Sequence, residues 1–128
     1  LSDFYLVLDL TDENVEKVAQ LHDDKGILSM KLTPTKIGAY SVEKAKAGHE
    51  YYVVFVQTEV GKRESVMEAL KSETNMYAVR NAGFIFDDRA DIVVEVTSAE
   101  APVEINQAIR SLDGVEDTIF YNLPRTRN

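Results

Sequence analysis

The 128 residues suffice for one sizeable core, and 45% hydrophobic with 28% charged residues is the make-up of an ordinary globular chain rather than a disordered or low-complexity one. The formal charge of −8 lacks the basic face that phosphate neutralisation demands of a nucleic-acid binder. With no cysteine, disulfides, thiolate nucleophiles and thiolate metal sites are excluded, and a reducing, cytoplasmic setting is the expectation.

Phe4-Tyr5-Leu6-Val7-Leu8 has the composition of a strand. Residues 12–23 then take helical spacing, with Val15, Val18, Ala19 and His22 on one face, so His22 is expected to be partly buried. Thr11 stands where a capping side chain is wanted, and Asp12 and Glu13 suit the positive end of the helix dipole. Gly26 ends this helix, residues 27–32 turn extended, and Pro34 and Gly38 mark a break. Lys31, Lys36, Lys44 and Lys46 are the densest basic stretch, but Glu43, His49 and Glu50 dilute it into a solvated surface. Gly48-His49 is a junction. The expected organisation is a βαβ-like extension over residues 1–48 and a main domain over residues 49–124.

Tyr51-Tyr52-Val53-Val54-Phe55-Val56-Gln57 is a β-branched and aromatic run that predicts a strand. Residues 61–72 are helical, with Val66, Ala69 and Leu70 on one face, until Asn75 breaks the pattern and residues 76–86 extend again. Asp87-Asp88-Arg89 is too polar for a strand interior and reads as a loop. Ile92-Val93-Val94-Glu95-Val96 predicts the next strand, with Thr97 or Ser98 as the following helix cap and Pro102 in the first turn. Ile105, Ala108, Ile109 and Leu112 form a stripe, Asp113-Gly114 stops the helix, and residues 115–123 return as a last strand before Pro124.

The two halves superimpose at a single offset of 39 residues, which carries Val53 onto Ile92, Thr58 onto Thr97, Val66 onto Ile105, Leu70 onto Ile109 and Met76 onto Val115. Two βαβ halves with right-handed crossovers give a ferredoxin-like α+β domain: a four-stranded antiparallel sheet with both helices on one face. Such a sheet should alternate apolar and polar residues. These strands are apolar on both sides, with Tyr51, Val53 and Phe55 against Tyr52, Val54 and Val56. A cover is therefore expected on the second face. A partner's sheet is the first choice, with Tyr51, Val53, Phe55, Phe84 and Phe86 at the dimer interface, and residues 1–48 are the other candidate.

Catalytic signatures are scarce. His22 and His49 have no metal-ligand spacing, and Asp87, Asp88 and Asp91 lack the Gly turn and terminal Glu of a calcium loop. No phosphate loop, dinucleotide fingerprint or nucleophile elbow occurs. The expectation is a binding chain with no enzymatic activity, no cofactor and no metal. No apolar run approaches the roughly 20 residues of a membrane span, so no membrane partner is expected.

Ala90-Asp91-Ile92-Val93-Val94-Glu95-Val96, the helix end Ile109-Arg110-Ser111-Leu112-Asp113-Gly114-Val115, and Thr58-Glu59-Val60-Gly61-Lys62 in the first half carry a resemblance. Over roughly residues 50–123 the chain resembles the ACT-like effector-binding domain of Lrp/AsnC-type transcription regulators. The resemblance implies a dimeric α+β barrel type of assembly through the sheet, higher homo-oligomers, and a small effector, often an amino acid, held between subunits. It further implies that Gly83, Asp91 and Thr118 contribute to the effector site, although residues 84–90 separate the first two more widely than in the family. Residues 1–48 show no basic recognition helix, so no direct nucleic-acid contact is expected of this chain. Two other readings share the fold class: a dimeric α+β barrel enzyme using Glu95 or Asp91, and a NusG-like protein-interaction module.

Overall fold

The computed structural model describes residues 8, 11–24, 26–27, 29–30, 35–40, 46–72 and 74–123, with 35–40 and 123 through the backbone alone. The chain forms two compact units, Leu1–Leu32 and Thr33–Asn128.

In the first unit, helix α1 spans Asp12–Ala19 and tightens into a 3-10 turn over Gln20–Asp23. Thr11 occupies the capping position in extended conformation, and its carbonyl accepts from the N–H groups of Asn14 and Val15. Its hydroxyl, however, does not cap the helix. The expected apolar face is not buried: no residue of α1 is, and the His22 side chain is 63% exposed, with Nδ1 3.6 Å from Asp23 Oδ1. Val15 is 38% exposed and Val18 only partly covered. Of the two extended segments expected here, Leu8, Ile27, Ser29 and Met30 lie outside any strand. Their remaining residues fall outside the described ones.

The second unit is the ferredoxin-like α+β domain. Its elements are β1 (Thr35–Tyr40), β2 (Glu50–Thr58), α2 (Arg63–Lys71), β3 (Ala78–Ile85), β4 (Ile92–Ser98), α3 (Pro102–Arg110) and β5 (Val115–Leu123). The strands lie in the order β1-β3-β4-β2-β5, every pair antiparallel. The expected four-stranded sheet is the β3-β4-β2-β5 part of it. The internal duplication is plain in the helices, since α2 and α3 are displaced by the same 39 residues that relate the two halves of the sequence.

The fifth strand, β1, comes from a stretch read as a break, and it draws the unit's start to Thr33 rather than 49. Gly38 does not end structure there. It is the extra residue of a bulge, as the pairing moves from Ile37 opposite Gly83 to Ala39 opposite Ala82.

Register assigns the two faces. Val54 lies opposite Val94 and Phe120, and Val56 opposite Ile92 and Thr118; these rows face the helices. There they meet Val66, Met67 and Leu70 of α2 and Ile105 and Ile109 of α3. Val54, Val56, Val66, Leu70, Val94, Ile105 and Ile109 have no solvent exposure. At about 1.5–3 kcal/mol for each fully buried aliphatic side chain, this layer dominates the stability of the unit. Among the described residues, no helix is long and apolar enough to cross a membrane.

Two ends differ from expectation. Thr97 and Ser98 do not cap α3; both are buried inside β4, and Ala101 holds the capping position with no side-chain bond. The Ser98 hydroxyl instead donates to the Met76 carbonyl and accepts from the Glu100 N–H, tying the end of β4 to the approach of β3. Gly114 follows α3 at φ +92°, and a Cβ there would lie 2.7 Å from Lys62 Cβ and 2.9 Å from Val66 Cγ2. The glycine thus serves the turn and the packing of α2 against it. Gly61 has a similar φ of +81° but nothing within 4 Å of such a Cβ. Gly114→Ala is expected to destabilise the fold by about 2–4 kcal/mol and Gly61→Ala by about 1–2 kcal/mol, urea unfolding of both variants separating packing from backbone strain.

Candidate functional site

The second face of the sheet carries Tyr51, Val53, Phe55 and Gln57 from β2, Val93, Glu95 and Thr97 from β4, and Ile119 and Tyr121 from β5. Val53, Val93 and Thr97 are buried at its centre, while Ile119 towards its outer edge is 40% exposed. The Phe55 and Tyr121 rings meet edge to face at 5.8 Å, and the Arg80 guanidinium lies 5.9 Å from the Tyr51 ring.

Of the expected interface residues, Tyr51, Val53 and Phe55 share this face. Phe84 does not: it stands opposite Ile92, which places it on the helix side with Val56, and the Arg63 guanidinium covers its ring at 5.0 Å. Phe86 lies past the end of β3 and is 64% exposed. Alternation groups residues within a strand, but only register says which groups of neighbouring strands coincide.

At one end of this face is a shallow cleft of about 230 Å³, lined by Phe55, Gln57, Asp88, Arg89, Asp117, Thr118 and Ile119. Its floor is apolar, from Phe55 and Ile119. Its rim carries one guanidinium, two carboxylates and one amide. Asp88 and Arg89 come from the β3–β4 loop, in which Asp87 Oδ1 accepts from the Arg89 N–H at 2.9 Å. Asp117 lies 3.6 Å from Arg110 of α3.

The three residues singled out as an effector site are not brought together. Thr118 lines the cleft, and its hydroxyl donates to Asn106 Oδ1 of α3 at 2.7 Å. Gly83 is buried in the row of Val93, Phe55 and Ile119, outside the lining. Asp91 is turned to β2, where its Oδ2 accepts from both the N–H and the hydroxyl of Thr58, at 2.8 and 2.9 Å. Its backbone is equally engaged: the Asp91 N–H donates to Val56 and its carbonyl accepts from Ile85, both at 2.9 Å. Asp91 therefore acts as the clasp of the β3–β4 loop, holding the segment that puts Asp88 and Arg89 at the cleft.

Sequence reasoning missed Gln57, Arg89, Asp117 and Ile119. The signal was the polar run at residues 87–89, read as a solvated loop. Among the described residues no three His, Cys, Asp or Glu side chains converge as a metal site, and Asp91 is committed to Thr58. His49 sits in the turn before β2, its N–H bonded to the Lys46 carbonyl. Glu95, half-buried between Val53 and Asn81, has its carboxyl pushed up by burial, with the attraction of Arg80 opposing.

No family model matches the chain, and no curated protein matches it. Among solved structures it is similar to the crystal structure of PH0061, with 14% identity and a TM-score of 0.51, covering 91% of this chain and 74% of that one. At that identity the likeness speaks to the fold alone.

Two outcomes follow from these contacts. Asp91→Ala leaves the buried Thr58 donors without their acceptor and is expected to cost about 2–4 kcal/mol in urea unfolding. A carboxyl raised in the fold binds its proton more tightly folded than unfolded. Its favourable contribution is thus complete below the ordinary value of 4.5 and is lost as pH rises through the raised one. Glu95→Gln should therefore melt at a higher temperature than the parent at pH 7, the gap closing as pH falls towards 4; a gap that is constant with pH would contradict this.

Proposed function

We propose that this chain is a small-molecule sensing and oligomerisation domain of the Lrp/AsnC-like kind, without catalytic activity, and that its effector is an amino acid. The observation that carries the reading is the cleft at the end of the sheet. A zwitterion needs a cation for its carboxylate and an anion for its ammonium group, and Arg89 faces the cleft together with Asp88 and Asp117. The apolar floor of Phe55 and Ile119 suits an aliphatic or aromatic side chain, and the Gln57 amide supplies both donor and acceptor. Thr118, which the family resemblance singles out, lies in this lining.

Association through the second face supports the same reading. Val53, Val93 and Thr97 at its centre are already buried within the single chain, so a partner's sheet in two-fold arrangement would bear chiefly on the margin around Ile119, which is 40% exposed. Because the cleft opens at the end of that face, an occupant of the cleft and a partner subunit could sense one another. The negative net charge argues that contact with DNA, where the regulator makes it, falls to another segment. The cysteine-free sequence suits the cytoplasm.

A second reading rests on Glu95. A dimeric α+β barrel enzyme places a proton carrier on this face of the sheet, and a carboxyl raised by burial is suited to that task. Turnover of a substrate that disappears in Glu95→Gln without loss of folding would favour it.

The sensing reading is tested by thermal shift against the twenty common amino acids, with light scattering on the same samples. A ligand at about 100 times its Kd stabilises by about 2.7 kcal/mol, a rise of several degrees for a domain of this size. One amino acid, or a few of related side chain, should give that rise together with a change in assembly mass. Arg89→Ala should abolish both responses at unchanged basal melting temperature. Uniform absence of stabilisation would sink the reading.

A further inference from the structure

β5 ends the strand order, with β2 on one side and, among the described residues, no strand on the other. In a regular antiparallel pair, alternate residues direct N–H and C=O to the neighbour and the rest direct them away. Thr118 belongs to the outward set: its N–H donates to Asp117 Oδ1 at 2.8 Å, and Val56 opposite it turns its carbonyl to the Asp91 N–H on the β4 side. Register with β2 is unbroken from Thr118 onwards, with Val56 opposite Thr118, Val54 opposite Phe120 and Tyr52 opposite Asn122. Phe120 and Asn122 therefore share the outward direction. Below Thr118 the edge is distorted, because the partner of β2 jumps from Asp117 to Val115 and leaves Glu116 as an extra residue.

An outward row of amide groups is a template for another strand unless something blunts it. Here the blunting group is identifiable. Asp117 occupies the Thr118 amide, and Arg110 of α3 stands 3.6 Å from the same carboxylate oxygen. Asp117 and Arg110 are both more than half exposed, so the ion pair itself contributes little stability, and the carboxylate is free to leave without cost to the core.

The residue order along the edge also says what it fits. Two copies of β5 paired antiparallel about Ile119 set Thr118 opposite Phe120, an outward residue against an outward residue, as ladder hydrogen bonding requires. The same register sets Asp117 opposite Tyr121 and Glu116 opposite Asn122, so no like charges meet, and Ile119, 40% exposed, meets its own copy. We propose that the outer edge of β5 is a docking surface for β5 of a second copy, and that Asp117 keeps it shut by holding the Thr118 amide. This pairing widens the sheet sideways. The partner of the sensing reading covers the face of the sheet instead; Asp117, Thr118 and Ile119 also border the cleft, so the Phe120 amide, which lies outside that lining, is the readout that tells the two apart.

The test compares the parent chain with Asp117→Ala and with the double variant Asp117→Ala/Asn122→Pro. Proline removes an outward donor at the edge, where a missing N–H is otherwise tolerated. Light scattering over a concentration series gives the mass, and hydrogen exchange gives the protection of the Thr118 and Phe120 amides. Asp117→Ala is expected to self-associate at least about tenfold more tightly than the parent. Its Phe120 amide should become protected as concentration rises, and the proline should return the mass to that of the parent. The proposal is overturned if Asp117→Ala shows the parent's mass at every concentration. Association that leaves the Phe120 amide exchanging at the parent's rate would overturn it equally, and that readout decides on the single variant even where the double variant does not fold.

Discussion

The constraint on which this domain rests is the position of β2. Between Tyr51 and Gln57 it carries only apolar side chains, and Tyr52, Val53, Val54 and Val56 are all buried. Such a strand has no side it can show to water, so it must be flanked by strands and covered above and below. The sheet meets this by pairing β2 with β4 along one edge and β5 along the other, in register over most of its length. Both helices follow from that choice, because each crossover returns over the same face and lays its stripe on the Val54 and Val94 rows. The site follows as well: Phe55 and Gln57, the next outward-facing residues of β2, furnish part of the cleft.

What the sequence makes legible is whatever is encoded by local periodicity. The stripe Ile105, Ala108, Ile109, Leu112 and the run at residues 51–57 each specify their element without reference to anything distant, and the common displacement of α2 and α3 is visible as a repeat. What fails is whatever depends on a partner far along the chain. β1 has an inconspicuous sequence, TKIGAY, and becomes a strand only through its pairing with β3, which a bulge at Gly38 allows. Thr97 and Ser98 have the chemistry of helix caps, yet the pull of the β4 ladder extends the strand through them and hands the cap to Ala101. Phe84 was grouped with Phe55 by composition, and register alone separates them.

The candidate site was less legible than the fold for the same reason. Its lining is gathered from β2, the β3–β4 loop and β5, and no short motif joins Gln57, Arg89 and Asp117. Asp91 illustrates the hazard of reading a role from residue type. A carboxylate near a glycine-bearing hairpin invites a ligand-binding interpretation, but two hydrogen bonds from Thr58 commit it to the architecture. Its service to the cleft is indirect, through the loop it secures. Thr118 shows a milder form, as its hydroxyl is engaged with Asn106 while the residue still borders the cleft.

That fastening of the β3–β4 loop separates the tip of the loop from the strands beneath it. The bond from the Ile85 N–H to the Asp91 carbonyl closes the hairpin at its neck, and the bonds from Asp91 to Val56 and Thr58 moor the neck to the middle of the sheet. While Ala90 is buried beside the mooring, Phe86, Asp88 and Arg89 stand exposed beyond it. Residues there can be exchanged, inserted or lost while the strands below stay aligned, because loop-closure entropy changes only slowly with length. Asp88 and Arg89, which this loop presents at the cleft, can accordingly be replaced with little consequence for the strands below.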